Sequence, residues 1–551
     1  MRYHKCILIL AFTIVGILNI TAQQEEVRVV KPYTPTLSGA EKIQLLPDLK
    51  DTVDYTMPDF EYTLFTKRYN TGFRVIPIKP ARMVKMPLDK LYKSELKAGV
   101  GNYLTPLLDL RINQLRSSKG SFGLGLRHHS MNGKVKLAND KKIDAGFNEN
   151  DLSVYGKRYS SYNVFEYKAG GSYSTNLHYG VDTAMIDSVT KPDLLHRYYL
   201  GYAGLGFHNT RPDSSHTNYN GTLDYYFFSH GMDQMEHAAE LDFHLDHPFR
   251  KFHVGGDAGL EYYGHPTDLA SALKNHWQVK LNPYFYKKSD EWMFRIGLNT
   301  YTEIRNDSLK RPRLYLSGKF SFNIVKDILV PYFGVDGYQQ MNTYRGLIDE
   351  NPYFIPPFEI KPTNYKMLLY AGLKGKITDN LAWNIRGSFS SIEDQYLFVT
   401  DTLSELHNAF SVLYEDMSVA NVYAEFNIRP TKSLKFLLKG NFYYYEVAPT
   451  PHAWYRQNFD AGLQAKYNMG DKILIDGGLF VIGPRYYPSL TGGDPGKLGT
   501  TVDLNLGAEY RYTNLLSFWL KFNNMTAQPY YMWYNYPSYR FRFMLGFTYG
   551  L

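Results

Sequence analysis

From about Glu95 to the C-terminus, strand-length stretches recur in which every second residue is apolar and the residues between are polar, often fully charged. Val502, Leu504, Leu506, Ala508 and Tyr510 alternate with Thr501, Asp503, Asn505, Gly507 and Glu509. Leu381, Trp383, Ile385, Gly387 and Phe389 alternate with Ala382, Asn384, Arg386 and Ser388, and Val422 to Ile428 repeats the pattern against Tyr423, Glu425 and Asn427. A period of two sends successive side chains to opposite faces of a strand. A sandwich core does not accept faces with this many charges, whereas a wet lumen does. The pattern therefore predicts an all-β protein, a transmembrane antiparallel β-barrel with lipid on one face of the sheet and water on the other.

Composition agrees. The chain has 49 Tyr, 33 Phe and 44 Gly, yet a mean hydropathy of only -0.37, as expected when half of each strand is polar and tyrosines line the interfaces. After the first twenty residues no apolar run reaches the length of a spanning helix. A net charge of +8 spread over 551 residues leaves no nucleic-acid footprint.

The start reads as a secretory signal, residues 1–22: a basic Met1–Lys5, an apolar Cys6–Ile20, and Thr21-Ala22 before the cut. The single cysteine, Cys6, leaves with it, so the mature chain is expected to hold neither disulfide nor thiolate ligand. Residues 23–92 carry seven prolines and no sustained period, which predicts an extended Pro-rich N-terminal segment, a reduced plug or a periplasmic tail, with short strands such as 69–78. The barrel is expected over residues 93–551.

Tight turns are legible at Ser117–Gly120, Pro248–Lys251, Ser289-Asp290, Asp379-Asn380, Lys432-Ser433 and Gly470-Asp471. Longer connections are expected at 132–150, 183–195, 342–364, 401–411 and 488–500. Short turns alternating with long loops give about 22 strands, each of roughly ten residues, enough when tilted to cover an apolar band of about 25 Å.

The last strand resembles the closing strand of bacterial outer-membrane barrels. Phe541, Phe543, Leu545, Phe547, Tyr549 and Leu551 form its apolar face, and the resemblance implies that the barrel-assembly machinery reads it as a signal. The even strand count, Glu95–Leu115 with its tip at Gly101–Pro106, and the final hairpin Phe522–Leu551 together resemble TonB-dependent receptors. The tyrosine richness and Tyr155–Arg158 (YGKR) are similar to barrels of this type from Bacteroidota. The resemblance implies an outer-membrane location, contact with outer-membrane lipid, and transport of a solute. It also implies a periplasmic partner, TonB or another protein, for which Glu26, Val27, Arg28, Val29 and Val30 are the contact candidates; a β-prone tail is the other reading of that run. The chain departs from the family in having about seventy residues where a full plug is expected.

The densest titratable cluster flanks the turn at Pro248: Asp242, His244, Asp246, His253, Asp257 and Glu261 share the polar face and are expected in the lumen. A metal or proton site and a solvated wall of mixed charge are both compatible with that placement. His128, His129 and Ser130 are adjacent in a strand and so point to alternate faces, and no G-x-S-x-G element precedes a helix. The sequence thus nominates no catalytic residue, no metal ligand set and no cofactor. Aromatic runs at Phe442–Tyr445, Tyr486-Tyr487 and Tyr530–Tyr536 read as interfacial girdle or as ligand platforms, and the proline-stiffened stretch 351–362 as a lid or docking surface. Two function classes follow: a transporter or channel, and a structural or assembly scaffold sealed by its own N-terminal segment.

Overall fold

The computed structural model describes residues 92–551 apart from 116, 138–139, 183, 211–214, 232–233, 265–274, 306–307, 356–358, 403 and 490–491. The signal segment 1–22, the Pro-rich segment up to residue 91 and the contact candidates Glu26–Val30 lie outside the described residues.

Twenty-two antiparallel strands form one closed ladder, from Ser94–Gly101 to Arg542–Gly550. The ladder closes because these two strands pair from Glu95↔Gly550 to Gly101↔Met544. Beyond them, Ser94 and Leu551 exchange backbone hydrogen bonds of 3.0 and 2.8 Å. A closed barrel leaves no unpaired edge, the condition for a sheet to stand in hydrocarbon. The pair Ser308–Leu309 joins the rim only through Ile304 and Arg305 and is not a spanning strand.

Alternation sets the two faces as expected. Leu241, Phe243 and Leu245 point out, as do Val502, Leu504 and Leu506, and all are exposed. In the closing strand Phe541, Leu545, Phe547 and Leu551 are likewise exposed on the outer wall. This apolar outer wall over a charged inner one makes the chain an outer-membrane-type barrel.

Turns on one side are short, such as 160–162, 250–251, 379–380 and 470–472, and include all six of the predicted tight turns. Connections on the other, outer side are long: 178–194, 341–362, 483–500 and 524–541 among them. One expected loop is absent. Residues 132–150 are mostly strand, with Gly120–Lys136 paired to Lys142–Tyr159 right up to Lys136↔Lys142. The hairpin rises above the membrane because Met131, Val135, Ile143 and Ala145 on its inner face are buried in a core built by the outer loops. The polar residues between them hid that second apolar stripe.

Candidate functional site

The six charged residues of the predicted cluster do share the inner wall, and the strand register explains how they meet. His244 lies opposite Asp257, and their Nδ1 and Oδ1 are 2.6 Å apart. His253 Nδ1 donates to Asp246 Oδ1 at 2.9 Å, and Tyr284 Oη donates to Asp246 Oδ2 at 3.2 Å. Lys280 Nζ bridges Asp242, at 3.4 Å, and Glu261. Arg295 lies 3.7 Å from Asp257 and 3.8 Å above the Tyr284 ring. Lys280, Tyr284 and Arg295 were missed in the sequence because they sit on later strands, and cross-strand register is not a local signal. Charges here are saturated by one another, and among the described residues no three His, Cys, Asp or Glu side chains converge as metal ligands do. Lys168–Asp224 at 2.7 Å, Arg313–Glu393 at 2.7 Å and Lys439–Glu425 at 3.2 Å continue the same pairing around the wall. The arrangement makes a wet, charge-balanced lumen.

The outer loops fold across the mouth and build a core of their own. Loop 178–194 joins the fifth and sixth strands and loop 401–409 the fifteenth and sixteenth, nearly opposite points on a ring of 22. They touch: Asn408 Nδ2 donates to the carbonyl of His178 at 2.6 Å. Loop 524–541 joins them, with Asn535 Nδ2 donating to the carbonyls of Gly180 and Val181 at 2.9 and 2.6 Å. The Tyr353 and Tyr536 rings stack with centroids 3.5 Å apart, and Trp533 packs on Phe398, Phe410 and Tyr455 at 5.1–5.4 Å. Burying this many aromatic rings is what makes a loop cap stable without lipid around it.

The stretch 351–362 lies across the mouth as a lid would, and Asn351 and Phe354 are fully buried in the cap, with Pro352, Tyr353 and Ile355 partly buried. The runs Tyr486-Tyr487 and Tyr530–Tyr536 belong to this cap rather than to a girdle. Of Phe442–Tyr445, Phe442 and Tyr444 face lipid at 56% and 59% exposure, as girdle residues do. Tyr443 and Tyr445 stack on each other at 5.8 Å on the inner wall.

A short helix, Tyr344–Glu350, anchors the lid. Thr343 caps it by accepting from Gly346 N–H at 2.9 Å, while the fully buried Glu236 accepts from Tyr344 N–H at 2.7 Å and from the Tyr226 hydroxyl at 2.8 Å. An anionic acceptor at a helix start satisfies donors that the helix leaves orphaned.

Beneath the anchor runs a file of imidazoles. His230 Nδ1 meets the Tyr344 hydroxyl at 2.6 Å, His230 Nε2 meets His196 Nδ1 at 2.8 Å, and His196 stacks on His178 at 3.5 Å. His178 is fully buried, its Nε2 donates to the carbonyl of Pro352 at 3.0 Å, and its Nδ1 has no partner among the described residues. Tyr198, Tyr344, Tyr353 and Glu236 are the other titratable groups around the file. Burial holds the His178 pKa well below the ordinary value, and charge on His196 or His230 would lower it further. An open cap would let His178 titrate near 6.5, whereas the closed cap refuses the proton, so closure is fully stable above that pH and weakens as pH falls through it. We expect closed-cap stability to fall by up to about 1.4 kcal/mol per pH unit per proton below pH 6.5. Protease cleavage in loop 178–194 should therefore rise between pH 7.5 and 5; equal cleavage at both would show that His178 is not excluded from protonation.

Below the cap, the inner wall of the last third of the barrel carries an open pocket of about 760 Å³, lined by Lys439, Asn441, Asp460, Gln464, Phe480 and Asp503 together with Tyr530 and Met532 of loop 524–541.

No protein-family model and no curated protein matches the chain. Solved structures do. The ferric-catecholate import receptor Fiu from E. coli K12 superposes with a TM-score of 0.59 at 11% identity, over 84% of this chain and 82% of the receptor. The copper transporter OprC gives 0.61 at 11% identity over 84% and 82%. The ferripyoverdine receptor of the Pseudomonas aeruginosa outer membrane gives 0.61 at 11% identity over 84% and 72%. The fold is therefore that of a TonB-dependent-receptor-like barrel.

Proposed function

We infer that the protein is an outer-membrane transporter whose folded outer loops are its gate. The observation that carries this reading is the joining of loops 178–194, 401–409 and 524–541 across the mouth, above a charge-balanced lumen with an open pocket just beneath. A loop cap held by side-chain packing can open without disturbing the barrel, since the barrel ladder is complete without it. The structural neighbours whose names describe an import receptor and a transporter support the same reading. The scaffold alternative has no comparable observation in its favour.

In this reading residues 1–22 are removed on export, and the closing strand with Phe541, Phe543, Leu545, Phe547, Tyr549 and Leu551 is the element that the barrel-assembly machinery engages. Glu26, Val27, Arg28, Val29 and Val30 are the segment proposed to pair as an added strand with TonB, supplying the energy for opening. The tyrosine richness and Tyr155–Arg158 support the reading of a barrel of Bacteroidota type. The lumenal set Asp242, His244, Asp246, His253, Asp257 and Glu261 lines the solute path as a solvated wall.

Strand pairing needs backbone donors, and proline has none. Val29→Pro should therefore reduce binding of the detergent-solubilised protein to the periplasmic domain of TonB at least tenfold while leaving the barrel folded. Absence of TonB binding by the unaltered chain would end the energised-uptake reading.

A further inference from the structure

On the outward face of strand Gly120–Lys136 the side chains change character at one level. Phe122, Leu124 and Leu126 are apolar; above them come His128, Ser130, Asn132 and Lys134. The neighbouring strand, Lys142–Tyr159, makes the same change, from Val154 and Leu152 to Asn150 and Asn148. Phe122, Leu126 and Leu152 are exposed to lipid, at 47%, 41% and 50%. The change therefore marks the outer membrane–water interface, the level at which acyl chains join their headgroups.

Three side chains at this level are hydrogen-bonded in series. Register sets His128 opposite Asn150. Asn150 Nδ2 donates to Asn148 Oδ1 at 3.0 Å and to the carbonyl of Tyr173 at 3.2 Å. With its nitrogen so committed, Asn150 turns Oδ1 toward His128 Nδ1, 2.8 Å away. Nδ1 must then carry the proton, which leaves the lone pair on Nε2. That lone pair faces the Ser130 hydroxyl at 3.3 Å. Hydroxyl, imidazole in the accepting tautomer, and an orienting amide are the parts of an acyl-transfer site, and a slightly long first contact is usual without substrate. Residues two apart in a strand share a face, so His128 and Ser130 can cooperate although His128 and His129 cannot. His129 indeed points to the lumen, 4.0 Å from Glu149.

We propose that Ser130 and His128, positioned by Asn150, hydrolyse an acyl ester of an outer-leaflet lipid. Ser130 Oγ bonds to the ester carbonyl carbon as its proton passes to His128 Nε2. The carbon–alkoxy bond then breaks, and His128 returns that proton to the departing lipid alkoxide. Water attacks the acyl-serine, gives a proton to His128, and the Ser130–acyl bond breaks to release a fatty acid and restore the hydroxyl. The inputs are one ester and one water, and the outputs are one lyso-lipid and one fatty acid, with no change in oxidation state. Ser130 is 6% exposed, so the nucleophile lies between neighbouring side chains rather than in bulk solvent. The site faces outward and does not depend on the lumen or on the transport reading.

The test uses the full chain in mixed micelles of detergent and a phosphatidylethanolamine with a fluorescent acyl chain, with products read by mass spectrometry. Free fatty acid and lyso-lipid are expected, and Ser130→Ala should lower their rate at least a thousandfold. Asn150→Ala should lower it roughly a hundredfold and displace the lower inflection of the rate–pH profile, with partial rescue by Asn150→Asp. A long-chain alkylsulfonyl fluoride should add one mass equivalent to Ser130 in the folded protein and none to Ser130→Ala. Heat-modifiable gel migration confirms that each variant retains its barrel. Hydrolysis that survives Ser130→Ala, or a folded chain that neither hydrolyses the lipid nor takes the sulfonyl label at Ser130, overturns the proposal.

Discussion

Amides of the outer loops are expected to exchange two to three powers of ten faster in Tyr536→Ala than in the unaltered protein, while the barrel strands keep their rates. Tyr536 is 3% exposed, its ring stacks on Tyr353 at 3.5 Å and meets Tyr179 at 4.9 Å and Phe410 at 5.9 Å, and its hydroxyl donates to the carbonyl of Asn408. These partners come from three segments of the cap besides Tyr536's own, so one ring ties loop 524–541 to loop 178–194, to loop 341–362 and to the stretch around Asn408 and Phe410. Removing a buried aromatic side chain costs about 3–5 kcal/mol when the site does not collapse. The barrel ladder is untouched, so the loss falls on cap closure alone and appears as local opening. Tyr444→Ala is the control: that ring is 59% exposed on the lipid face and should leave loop exchange unchanged. Loop exchange in Tyr536→Ala equal to that of the unaltered protein would mean that the cap is held by something other than its aromatic core.

What could be read in the sequence and what could not divide by the range of the signal. Alternation is a two-residue signal, so the spanning strands, their faces and the tight turns such as Asp379-Asn380 follow from local pattern. The outer cap is a product of contacts between loops far apart in the chain, as between His178 and Asn408, and aromatic loop residues look the same whether they line an interface or fill a core. Tyr530–Tyr536 was open to both readings for that reason. Likewise, the lumenal cluster was visible around Pro248, but its counter-charges Lys280 and Arg295 required a register. The His128–Ser130–Asn150 series falls in the same class: two members share a face at a spacing of two, and the third arrives only by pairing across strands. A search for serine and histidine two apart in a strand at the end of its apolar face would have flagged it.

At the seam that closes the barrel, we expect Gly546→Val to cut the yield of folded, heat-modifiable protein at least tenfold. The two strands of the seam place Gly546 opposite Gly99 on the inner wall, and the Trp519 ring lies across both. A Cβ at Gly546 would come 2.2 Å from the Ala98 carbonyl oxygen and 2.3 Å from the Trp519 ring; one at Gly99 would meet the same ring at 2.4 Å. A ring alone can turn away, but a backbone oxygen inside the ladder has nowhere to go without breaking the pairing. Overpacking of this kind costs about 1–3 kcal/mol where side chains relax, and more where the backbone must. The cost lands on the last pairing to form, because the first and last strands meet only at closure. Lys97, 5.1 Å from the Trp519 ring centroid, adds a cation–π contact that the displaced ring would lose. Gly387→Ala provides the comparison, since an added Cβ there meets nothing within 4 Å and the folded yield should be unchanged. Equal yields for Gly546→Val and Gly387→Ala would mean that the seam tolerates side chains, and that the aromatic row from Phe541 to Leu551, on the opposite face, is enough to close the barrel by itself.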